Sequence, residues 1–134
     1  MATMSEMAQE LQEITAWQRT PEPLSMSDYY KMISYGVKRL YVDTGRAQAY
    51  RRDLLTDMQE LPPDEELYVL LVAQIAFFKR VQTDVNNIVS YTTDALSVAN
   101  ADKPYAHLQD TINDLENERR ILFYKMVDYS FYHG

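Results

Sequence analysis

The sequence predicts an all-α protein of five helices. The last two form a long antiparallel C-terminal hairpin, and the shorter N-terminal helices pack at one end of it. Three observations carry this reading. Apolar residues recur at three- and four-residue steps along most of the 134 residues, the period of a helix face. Only three glycines occur, too few for the many tight turns of a β-sandwich. The stretch from Pro62 to about Ala99 carries Leu71, Ile75, Phe78, Val81, Val85, Ile88, Thr92, Ala95 and Ala99 on one stripe, with no proline or glycine after Pro63. As one helix it would run roughly 55 Å, longer than an ordinary globular domain needs.

Met4, Met7, Leu11, Ile14 and Trp17 define a first helix from about Thr3 to Gln18, ended by Thr20-Pro21-Glu22-Pro23. Ser25 or Ser27 caps the second, with Asp28 in its first turn. Tyr29, Met32, Ile33, Val37, Leu40 and Tyr41 are its apolar positions. Gly36 sits in mid-helix, where it costs about 1 kcal/mol against alanine; close approach of another backbone is one reason to tolerate it. Gly45 suits a left-handed C-cap. A third helix is expected from about Arg46 to Leu61, on the stripe Ala47, Tyr50, Leu54, Met58 and Leu61. Pro62-Pro63-Asp64-Glu65-Glu66 then opens the central helix, with three carboxylates at the positive end of its dipole. The hairpin corner is expected at Asn100 to Pro104. The last helix carries Tyr105, Leu108, Ile112, Leu115, Arg119, Leu122, Met126 and Tyr129, with Arg119 the only polar member of the stripe. Leu122 should lie near the start of the central helix and Leu108 near Leu96. The chain reads as one domain, 1–134: three shorter helices over 1–61, the hairpin over 62–128, and a docking tail over 129–134.

Charge is segregated. The net charge of −7 divides into −4 over residues 1–28, +5 over 29–52, −6 over 53–78 and −2 over 79–134. An overall field of this sign opposes nucleic-acid binding. The alternation fits basic and acidic faces meeting within or between subunits, or simply charge on solvated helix faces. No membrane partner is expected, since the longest near-apolar run, Leu67 to Phe78, is too short to span a bilayer. The opening residues carry Glu6, Glu10 and Glu13 and no basic region ahead of an apolar run, unlike a signal peptide.

Chemistry is sparse. With no cysteine, thiolate catalysis and Cys-based zinc sites are excluded. Neither His107 nor His133 has a glutamate three residues before it, so the Glu-x-x-His ligand pattern of a di-metal bundle is missing. There is no phosphate loop, no Gly-x-Gly-x-x-Gly and no Gly-x-Ser-x-Gly. The acids Asp110, Asp114, Glu116 and Glu118 read as a solvated face beside Arg119, Arg120 and Lys125. No catalytic, cofactor-binding or metal-ligating residue is expected, and the chain reads as non-enzymatic.

Eleven tyrosines point instead to contact surface, because tyrosine combines large area with few torsions. Tyr29 and Tyr30, adjacent on a helix, cannot both face one core. The candidate interface residues are Tyr29, Tyr30, Lys38, Arg39, Arg46, Arg51 and Arg52 on the basic segment, and Tyr129, Phe131 and Tyr132 in the aromatic tail.

The stretch Ser27-Asp28-Tyr29-Tyr30-Lys31, the corner Tyr41-Val42-Asp43-Thr44-Gly45-Arg46 and the tail Tyr129-Ser130-Phe131-Tyr132-His133-Gly134, set in a small all-α chain with a long hairpin, resemble the head–tail connector (adaptor) proteins of tailed bacteriophages. The resemblance implies a homo-oligomeric ring docked between a portal and a tail protein, and location in a virion; otherwise the chain is expected to be cytoplasmic. The alternative is a helical regulatory module binding a protein or nucleic acid through residues 29–52.

Overall fold

The computed structural model describes residues 3–49, 61–91 and 98–133. They form four α-helices, α1 (Met4–Ile14), α2 (Met26–Asp43), α3 (Pro63–Tyr91) and α4 (Val98–His133), and a 3-10 turn over Ala47–Ala49. No strand occurs among these residues. The all-α class stands, but the expected five helices are corrected to four among the described residues. The helix expected from Arg46 to Leu61 opens only as the 3-10 turn, and Leu61 is already coil. Residues 50–60 of that expectation, Arg51 and Arg52 included, lie outside the described residues. The reason for the turn is local. Gly45, at φ 76°, donates its N–H to Val42, and Arg46 donates to the Tyr41 carbonyl at 2.7 Å. This pair of bonds closes α2 and leaves Ala47 to begin only a tight three-residue turn.

Reciprocal capping boxes start the first two helices, Thr3 with Glu6 and Ser25 with Asp28. α1 is shorter than expected. The Thr15 hydroxyl turns back onto the Leu11 carbonyl at 2.7 Å, and Trp17 lies in the turn beyond. α3 runs unbroken to Tyr91. The corner expected at Asn100 to Pro104 is corrected: residues 98–103 are helical and Pro104 falls inside α4. An alanine-containing lead, Val98-Ala99-Asn100-Ala101, outweighs the start signal of the proline. Leu108 and Val85 line one cavity; Leu96 is outside the described residues.

α3 is the central element. It packs against α1, α2 and α4, whereas no Cα of α4 comes within 8 Å of α1 or α2 among the described residues. Accordingly α3 is buried nearly all round from Tyr68 to Ala73, with Phe77, Phe78 and Val81 continuing the core toward Ile33, Leu40 and Leu11. Burying a side chain of this size contributes about 1.5–3 kcal/mol. At Gly36 the α2 and α3 backbones meet: a Cβ there would stand 2.7 Å from the Val69 carbonyl oxygen. On the remote side of α3 the Trp17 ring lies 5.5 Å from Phe78, although 60% of Trp17 stays exposed.

Candidate functional site

One polar network ties α2, α3 and α4 together, and it is built from residues that interrupt apolar stripes. Arg119 stands where α4 otherwise shows leucine and isoleucine. Its guanidinium donates through Nη1 to the Tyr68 hydroxyl at 3.1 Å and through Nε to Glu116 at 3.0 Å. Tyr68 in turn donates its hydroxyl proton to Asp43 at the end of α2. Asp43 also receives Arg39, at 3.1 Å through Nη2, and lies 4.0 Å from Arg119. Burial, and then the bond to Asp43, pushes the Tyr68 phenol above its ordinary pKa, so it keeps the proton that it donates. The Tyr35 hydroxyl accepts from Arg39 at 3.3 Å and heads the causes that hold this arginine charged. The arrangement pairs charges and bridges helices. It offers no nucleophile beside a base.

Over this network α2 and α4 diverge, and the α3 surface between them, Val72 and Ala76, becomes the floor of a cleft of about 210 Å³. Tyr35, Arg39, Lys79 and Arg119 stand around it. Among the described residues no group of three or more His, Cys, Asp or Glu side chains could hold a metal. None of the described helices is long and apolar enough to cross a membrane.

The candidate interface residues separate into three groups. Tyr29 is core, 8% exposed and stacked on Phe77 at 6.2 Å, which corrects its place on the list. Tyr30 is half-buried and Lys38 exposed. Arg39 and Arg46 serve contacts within the chain, Arg39 through Asp43 and Arg46 through Glu65 at 2.6 Å, with its guanidinium 5.0 Å over the Tyr41 ring. The basic and acidic segments thus meet at one point inside a single subunit. Tyr129, Phe131 and Tyr132 lie on the last turns of α4, whose backbone is helical to His133, so this segment is not the extended tail that the sequence suggested.

Sequence reasoning passed over Asp43 and Tyr68, while it placed Glu116 beside Arg119 on a solvated face. The available signal was Arg119 itself, since a lone arginine in an apolar stripe requires a partner on the facing helix. Sequence reasoning also missed the outer face of α4, where Ile121, Tyr124 and Val127 are 48%, 59% and 41% exposed.

The register of the hairpin places this face. Gln82 donates to Gln109 at 2.9 Å, and the Tyr68 ring lies 6.5 Å from Phe123. Extended at equal rise per residue, Pro63 falls level with about residue 128. Residues 129–133 of α4 therefore run past the start of α3 by roughly 7.5 Å. Set against models of protein families, curated proteins and solved structures, the chain matches none.

Proposed function

We propose that this chain is a non-enzymatic structural subunit, a head–tail connector that forms a ring between portal and tail in a phage particle. The observation that carries the reading is the projecting end of α4. A helix that runs past the start of α3, which alone packs against it among the described helices, with Ile121, Tyr124 and Val127 exposed before its end and Tyr129, Phe131 and Tyr132 in its last turns, is suited to a second surface. Exposed aliphatic and aromatic residues in this number are seldom kept without use. The alternative, a module reading nucleic acid through residues 29–52, is weakened because Arg39 and Arg46 already face carboxylates of their own chain.

The test is the mass of the assembly by light scattering, for the chain alone and mixed with a purified portal ring. Ring-sized complexes on the portal, lost when residues 128–134 are deleted, are the expected result. A chain that stays monomeric in both mixtures, or that shifts only with duplex DNA, overturns the reading.

A further inference from the structure

The cleft between α2 and α4 has the size and charge of a receptor for one acidic, partly apolar segment. Its volume, about 210 Å³, lies below the roughly 300–1,000 Å³ of pockets that enclose small-molecule ligands. One aliphatic side chain with a neighbouring carboxylate fills such a space. The floor is apolar, Val72, Ile75 and Ala76, and the rim carries Arg39, Lys79 and Arg119, with the Glu116 carboxylate paired to Arg119, so the unpaired charge left at the rim is that of Lys79. Arg39 and Arg119 are engaged by Asp43 and Glu116, which fixes their positions. Lys79 is exposed and makes no ion pair among the described residues, so its ammonium is available to an incoming anion.

The same chain carries a complementary group. At the start of α3 Leu67 is 49% exposed, and Glu66 beside it has no cationic partner among the described residues. At about 100° per residue, the edge shared by Glu66 and Leu67 points away from Val72, Ala76 and Lys79, on the opposite side of α3 and roughly 13 Å along its axis. The two surfaces cannot meet within one molecule. They can meet between molecules, head to tail, and a contact between different patches closes into a ring when its rotation allows.

Building on the connector reading, we infer that the α2–α4 cleft of one subunit receives Glu66 and Leu67 from the α3 start of the next, with the Glu66 carboxylate on Lys79 and the Leu67 side chain on Val72 and Ala76. The occupant is a second copy of this chain, chosen because charge, size and opposed facing all agree.

The absence of native cysteine makes the test direct. Single variants Lys79→Cys and Glu66→Cys are mixed under the conditions in which the wild-type chain assembles, alone or on the portal, and oxidised. A mixed disulfide several-fold in excess of either homodimer is expected. In parallel, Lys79→Glu and Glu66→Lys should each weaken assembly at least tenfold at unchanged melting temperature, and the double exchange should restore it. Assembly that persists without the mixed disulfide overturns this contact and leaves the connector reading standing. Loss with Lys79→Glu but none with Glu66→Lys assigns the cleft to another acidic segment and also overturns it. A wild-type chain that never assembles overturns both.

Discussion

A carbonyl oxygen, not a side chain, decides what residue 36 can be. Alanine there would gain about 1 kcal/mol of helix propensity, but its Cβ would meet the Val69 oxygen at 2.7 Å. Backbone cannot step aside as a flexible side chain can, and overpacking costs about 1–3 kcal/mol or more. Gly36→Ala should therefore lower stability by about 1–2 kcal/mol in urea denaturation; a stabilised variant would show that α2 and α3 do not press together there. Phe78, with 2% of its surface exposed and both Trp17 and Phe77 against its ring, should cost about 3–5 kcal/mol when cut to alanine, read from the denaturation midpoint. Tyr68→Phe removes the hydroxyl that joins Asp43 to Arg119 and should cost about 1–3 kcal/mol, whereas an unchanged midpoint would mean that water replaces it. The Asp28 carboxyl is held below its ordinary pKa, first by the Ser25 backbone N–H and then by the Ser25 hydroxyl. Because the folded-state value is the lower one, this cap contributes fully above the unfolded value of about 3.9 and is lost as pH falls through the folded value. An NMR titration placing Asp28 at or above the ordinary value would remove the cap from the account.

At the level of elements, what could be read from the chain depended on how local the signal was. The α2 boundaries were legible because Ser25, Asp28 and Gly45 act on backbone groups within a few residues of themselves. The buried face of α3 was legible from its stripe, and Gly36 from the oddity of a mid-helix glycine. The corner into α4 was not: Asn100 and Pro104 carry boundary chemistry, yet helix propagation through Val98 to Lys103 prevails. The polar network was beyond reach because Asp43, Tyr68 and Arg119 come together only once three helices are packed, and nothing in their spacing along the chain brings them into one group. The end of α4 allows a decisive deletion. Removing residues 128–134 should leave the melting temperature nearly unchanged, since residues 129–133 run past the start of α3, while abolishing the proposed attachment to the portal. A large fall in melting temperature with attachment intact would mean that these turns serve the core alone.

For the whole molecule, the segregated charge would make the proposed assembly sensitive to salt. A contact of the proposed kind, between the exposed Lys79 and the partly buried Glu66 of a second copy, would weaken as the screening length contracts from about 10 Å at 0.1 M to about 3 Å at 1 M. Ring formation should fall over that range while the melting temperature of the subunit changes little; equal assembly at both ends would exclude an electrostatic seam. The candidate surface was legible only in kind. Tyrosine content and charge blocks announced an interface, but Tyr29 turned out to be core, and the exposed face proved to be Ile121, Tyr124 and Val127. Side chains on a helix face inward or outward according to what packs beside them, and among the described helices α3 alone packs against α4. The central place of α3 also sets a clock for its amide protons. Backbone N–H groups from Tyr68 to Ala73 lie in the buried core and should exchange with deuterium only when the whole chain opens. Those in the last turns of α4, which run past the start of α3, should exchange early in labelling. Attachment to a ring would then be visible as late-appearing protection at that one helix end, with the α3 rates already at their ceiling.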